Sequence, residues 1–166
     1  MKMLAFLTLL LATKIYAADP EIQKVKSLFE AAAHSKDAAD QLVKLLSATN
    51  QSSPPLLVCY KGAAEMMKAR YEFNPIHKFK SFRKGKFLIQ QAVKEDPDNT
   101  EIRFLRFAIQ TNLPAFLNYN DNIQEDKKYL LDNLQTTKDN KLKQNIVKCL
   151  SASKYCSGED KKRLAT

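Results

Sequence analysis

Asn99-Thr100-Glu101-Ile102-Arg103-Phe104-Leu105-Arg106-Phe107-Ala108-Ile109-Gln110-Thr111-Asn112 is the stretch whose reading decides the fold. On a helical wheel, Ile102, Phe104, Leu105, Phe107, Ala108 and Ile109 cover most of the circumference. Only Arg103, Arg106 and Gln110 are left as a narrow polar stripe. A helix of this kind belongs between neighbours rather than on a surface, so it is placed at the centre of an all-helical fold. Asp96-Pro97-Asp98 turns the chain just before it, and Asn99 supplies an N-cap. Arg103 and Arg106 are candidate binding residues, because a guanidinium on a mostly buried helix must meet a carboxylate, in the protein or in a ligand.

Outward from this centre, every neighbouring segment also has helical spacing. Asn74-Pro75 opens a helix running from Ile76 to about Glu95. Its wheel gathers Phe79, Phe82, Ile89, Ala92 and Val93 on one side, with Lys80, Arg83, Lys84 and Lys94 opposite. Ser53-Pro54 opens the helix before it, whose buried face is Leu56, Tyr60, Ala63, Ala64 and Met67; Gly62, Ala63 and Ala64 admit a close neighbour. Asp37 caps a helix with the stripe Ala39, Leu42, Val43 and Leu46, and Asp19-Pro20 opens one through Ile22, Val25, Leu28 and Phe29. Beyond the centre, Pro114 breaks the chain. Asn120 or Asp121 caps a helix with Ile123, Leu130, Leu131 and Leu134, and another follows with Leu142, Ile146, Val147 and Leu150. With only three glycines and six prolines, little room remains for strands. The expectation is an all-α antiparallel helical bundle, or a short helical solenoid, of about six to seven helices over residues 18–157. Residues 158–166 are expected to form a frayed, charged tail.

Residues 1–17 have the order of a cleavable secretory signal: Lys2, the apolar run from Leu4 to Ala12, then the small Ala17 and Ala18. The run is far short of the ~20 residues that cross a bilayer as a helix. No cysteine stands at the cleavage position to accept a lipid. A soluble product, periplasmic or secreted, is therefore expected, without a transmembrane segment. Removing Lys2 and Lys14 lowers the formal charge from +9 to +7. In an exported protein that excess favours lipid headgroups or polysaccharide over nucleic acid. Export also places Cys59, Cys149 and Cys156 in an oxidising compartment. Buried free thiols are the first expectation, and Cys149 with Cys156 the candidate disulfide, a bond that requires the helix to end between them, since seven helical residues rise about 10 Å.

Gly85, Ile89, Ala92 and Pro97 stand at the spacing that, in a tetratricopeptide repeat, packs the second helix against the first and closes the repeat. The segment resembles such a repeat in degenerate form, over about twenty residues. A broader likeness runs through Tyr60-Lys61-Gly62-Ala63-Ala64, Phe82-Arg83-Lys84-Gly85, Glu101-Ile102-Arg103-Phe104-Leu105-Arg106 and Asn112-Leu113-Pro114 with Asn122-Ile123. Together these resemble a group of small exported helical proteins of Gram-negative bacteria. The resemblance implies fold and compartment, and no activity.

No catalytic signature is present. His34 and His77 are the only histidines, and neither has a local motif. Pairing of Cys59 with His77 is weaker than a core cysteine and a surface histidine. Asn118, Asn120 and Asn122 alternate as in a calcium loop, but Ile123 and Tyr129 stand where the loop needs glycine and glutamate. No metal, cofactor or enzymatic activity is expected. The most suggestive surface is His77, Lys78, Lys80, Arg83, Lys84 and Lys86, with Phe87 among the cations. The sequence therefore points to a non-catalytic protein-binding or scaffolding module of the envelope, its partner another envelope protein. The alternative is a binder of anionic lipid headgroup or polysaccharide through Lys80, Arg83, Lys84 and Phe87.

Overall fold

The computed structural model describes residues 21–164. The signal reading and the Asp19-Pro20 cap lie outside the described residues. Eight α-helices follow in order: α1 Ile22–Ala32, α2 Lys36–Leu45, α3 Pro55–Tyr71, α4 Pro75–Glu95, α5 Thr100–Asn112, α6 Ile123–Asn133, α7 Asn140–Ala152 and α8 Gly158–Arg163. A short 3-10 turn, Ala115–Leu117, lies between α5 and α6, and no strand occurs among the described residues.

The helix starts follow from capping chemistry. Asn74 Oδ1 accepts from the amides of Ile76 and His77, Asn99 Oδ1 from Glu101 and Ile102, and Asp139 Oδ1 from Lys141 and Leu142. Three starts differ from the sequence expectation. Ser35, not Asp37, caps α2, because Ser35 holds the extended backbone that lets its hydroxyl accept from Ala38 N. Asp37 instead sits in the first turn, where a carboxylate complements the helix dipole. Pro55, not Pro54, occupies the first position of α3. At α6 the N-cap is Asn122 rather than Asn120 or Asp121, and its side chain is drawn away to Gln90 and Glu125.

Residues 158–163 form a helix instead of a frayed tail. Ser157 Oγ accepts from Asp160 N while Asp160 Oδ2 accepts from Ser157 N, a reciprocal capping box. Lys127 of α6 holds the same carboxylate at 2.8 Å. This helix raises the number among the described residues to eight, against the six or seven expected.

The longest pair, α3 and α4, packs antiparallel with glycine against glycine. A Cβ at Gly62 would lie 2.8 Å from Gly85 O, and one at Gly85 only 2.6 Å from Gly62 O and 2.5 Å from Met66 Cγ. Lys84 and buried Glu65 pair at 2.6 Å along the same seam. α5 is central, as expected. Ile102 and Leu105 join the core formed with Val25, Leu42, Leu46 and Ile89. Phe107 joins a second cluster with Ile123, Leu130, Ile146 and Leu150. Lys26 and Lys141 link the first helix to the start of α7, at 3.3 Å to Asp139 and 2.7 Å to Glu30.

Candidate functional site

The polar stripe of α5 is buried. Arg106 donates through Nε to Asp126 Oδ2 at 2.6 Å and through Nη2 to Asp126 Oδ1 at 2.7 Å, a two-pronged pair beneath the surface. Arg103 Nη1 donates to Asp126 Oδ1 at 2.9 Å and to Glu125 Oε1 at 2.5 Å, and its Nε to Pro97 O at 2.7 Å. Asp126 is 0% exposed. Burial acts to lower the Arg103 pKa, but hydrogen bonds to Glu125 and Asp126 outweigh it and raise the value; the bond from Arg103 holds the Glu125 carboxyl below its usual range. Gln90 accepts from Arg106 Nη1 at 3.2 Å and donates to Asn122 Oδ1 at 3.2 Å, which ties in α4. The carboxylates that meet both guanidiniums are thus the protein's own. These arginines join α4, α5 and α6, and their charge is met inside the protein.

The cysteines are free thiols. α7 ends at Ala152, between Cys149 and Cys156, and both side chains belong to the second core cluster. Burial, then the neighbouring Cys156, pushes the Cys149 thiol up to about 11; burial raises Cys156 and, more strongly, Cys59. None is activated as a thiolate. Cys59 and His77 are not brought together. The α3–α4 register set by Gly62 and Gly85 leaves them about 16 Å apart along the pair. Cys59 is buried and His77 exposed. Among the described residues no three His, Cys, Asp or Glu side chains gather as a metal site.

The cationic face of α4 is split by the fold. Lys84 is spent on Glu65, and Lys86 turns to Asn118 O at 3.1 Å and lies 4.9 Å from the centre of the Tyr119 ring. Lys78, Lys80 and Arg83 remain exposed, with no carboxylate among the described residues within ion-pair distance of them. Arg83 stands 5.9 Å from the centre of the Phe79 ring. Phe87 is 60% exposed, as its place among the cations suggested, and it is not alone. Phe73 is 100% exposed, Ile76 64%, Phe79 53% and Phe116 84%; these five are the exposed large hydrophobics of the described residues. Four lie on α4 or on the turn that leads into it. Phe116 rides on the segment that Lys86 and the Phe82–Tyr119 ring contact hold against α4.

Phe79 is the one member of the expected α4 core that the fold leaves outside. Phe82, one turn nearer the Gly85 crossing, fills the space by the Tyr119 ring, and Phe79 stacks over it from the solvent side. The sequence reading missed Phe73, Ile76 and Phe116 as surface residues. A signal for the first two was available: on the wheel Ile76, Arg83 and Phe87 fall within about 20° of one line. Phe73 lies just before the helix. Between Glu72 and Glu95 the chain has no acid at all.

No helix among the described residues is long and apolar enough to cross a membrane. No protein-family model matches this chain, and neither a curated protein nor a solved structure does.

Proposed function

We propose that this protein is a non-catalytic docking module of the cell envelope, exported and soluble, that engages an anionic partner through the apolar and cationic face of α4. One observation carries the reading: the five exposed large hydrophobics collect on and beside α4, among the exposed cations Lys78, Lys80 and Arg83. A contiguous apolar patch is disfavoured in water and is retained where something covers it. The uncompensated cations select an anionic cover.

Two further features support a binding role over catalysis. Every thiol is held protonated by burial, and the arginines with the clearest need for a counter-charge are satisfied internally. Export rests on residues 1–17 and on the likeness to small exported helical proteins. The degenerate tetratricopeptide-like reading of residues 85–97 is supported by Gly85, Ile89 and Ala92, which pack inward as a repeat of that kind requires.

The test is retention of the protein by the native envelope fraction. Charge reversal of Lys78, Lys80 and Arg83 together with Phe87→Ser is expected to abolish retention while leaving the thermal melt in place, because none of these side chains supports the core. Unchanged retention of this variant would exclude α4 as the docking face. Retention that survives high salt would favour a protein scaffold held by the apolar residues, and retention lost with salt an anionic surface.

A further inference from the structure

We infer that the surface engaged by α4 is an anionic lipid bilayer, with the helix lying along the membrane plane; this rests on the docking reading above and names its partner. Shape, charge and layout point the same way.

A peptide partner needs a groove or a sheet edge to receive it. Three grooves open on the fold, and none of them is lined by any residue from 73 to 87. The largest, about 530 Å³, lies between α5 and α7 beside Phe104, Asn112, Asn145 and Cys149. The α4 face instead presents separate side chains standing out from a helix. Residues 73–80 are exposed without interruption. A surface that moulds itself around each ring suits this better than a preformed pocket.

The charge is matched to a bilayer of one sign. From Phe73 to Lys94 the chain carries no acid, and Lys80 and Arg83 stand exposed beside the line of Ile76 and Phe87 while Lys84 is paired with Glu65. Cations interleaved with large apolar residues on one exposed face are the arrangement of an interfacial helix. Its rings enter the boundary between headgroups and acyl chains, while lysine and arginine reach back to the phosphates. The layout also fixes the orientation. Phe79 and Phe87 are separated by about 12 Å along α4, and both are exposed. Phe116, on the flanking segment, adds a point off the helix line. A tip-first approach would wet Phe87, whereas a helix lying flat brings every one of these rings to the surface.

The chain contains no tryptophan, so a single introduced indole reports its own surroundings. Phe79→Trp and Phe87→Trp are made separately, with Tyr155→Trp on the second cluster as a control. Each is mixed with vesicles of phosphatidylcholine, or of phosphatidylcholine containing a third phosphatidylglycerol, in which the acyl chains are brominated. With the anionic vesicles, Phe79→Trp and Phe87→Trp are both expected to blue-shift and quench, and Tyr155→Trp to do neither. Neutral vesicles should bind far less. Adding Phe73→Ser should weaken partition about tenfold, as loss of one buried ring implies. Quenching at only one of the two α4 positions would overturn the flat orientation. Binding without quenching, or equal binding to dextran sulfate with no blue shift, would overturn the lipid as partner. If vesicles are ignored while the envelope fraction still retains the protein through Lys80, Arg83 and Phe87, the lipid inference falls and the docking reading stands. If both are lost, both fall.

Discussion

With both oxygens of Asp126 taken by Arg106 and one shared with Arg103, a single buried carboxylate is the common acceptor of both guanidiniums on the polar stripe of α5. The desolvation cost of such a site is met only while every member keeps its partner. Asp126→Ala leaves two guanidiniums buried without their common acceptor, and is expected to cost about 3–5 kcal/mol in a urea titration. Glu125→Gln tests the alternative that any acid on α6 serves. That side chain is 56% exposed, and its loss is expected to cost under about 1 kcal/mol. A second residue-scale case is Gly85. Helix propensity alone would favour alanine by about 1 kcal/mol, but the new methyl meets Gly62 O, which is backbone and gives way only if the helices part. Gly85→Ala is therefore expected to destabilise by about 1–3 kcal/mol. At Gly158, where a Cβ meets nothing within 4 Å, alanine should be neutral or slightly favourable. A Gly85→Ala protein as stable as its parent in the same titration would show that the seam slides freely.

Elements were legible in the sequence where their start carries a side-chain cap followed by a periodic apolar run. α5 begins and ends where Asn99 and the wheel place it, and α4 opens at Asn74. The reading failed where two chemically equal signals compete within a few residues. Ser35 and Asp37 both make good caps, and only the backbone conformation at Ser35 decides between them. At α8 the short length concealed a helix that becomes stable on docking, because the capping box and Lys127 converge on one carboxylate from different parts of the chain. The exposed face of α4 was half legible: Lys80, Arg83 and Phe87 stand out locally. That Lys84 and both arginines of α5 are spent internally depends on Glu65 and Asp126, which are distant in sequence. α8 has its own pH signature. The hydrogen bond from Lys127, with the Ser157 amide, depresses the Asp160 pKa from 3.8 to about 2. A carboxylate with a lowered folded-state pKa contributes its stabilisation fully above about pH 4 and loses it as the pH falls through about 2. α8 is expected to undock over that window. A Leu164→Trp reporter should record the change, and Lys127→Met should move the undocking toward the ordinary aspartate range. An undocking midpoint unaffected by Lys127→Met would show that another contact holds the helix.

At the scale of the whole molecule the two core clusters are not equally secured, although α5 belongs to both. The first is closed by α1 to α4, with its glycine-to-glycine seam and Tyr60 donating to Glu101 Oε1 at 2.5 Å. On α7 the buried anchors are Ile146 and Leu150, and an open groove separates part of it from α5. The ties from α7 back to α1 are ion pairs, of which Lys141 with Glu30 is largely solvated on both sides. Exposed pairs of this kind contribute under about 1 kcal/mol and are screened by salt. The low-energy opening of the molecule should therefore release α7 and α8 as a unit while α3, α4 and α5 stay folded. In native-state hydrogen exchange, the slowest amides are expected in α3 and α5, and those of α7 should exchange through a smaller opening. Raising the salt should accelerate exchange in α7 and leave α3 unchanged. Ile146→Ala, which removes an anchor buried at 0% exposure, should bring the α7 opening close to the unfolded baseline. If instead all helices exchanged at one rate with one denaturant dependence, α5 would be coupling the two clusters into a single cooperative unit. The solvated links at Asp139 and Glu30 would then have no separate part in holding the bundle closed.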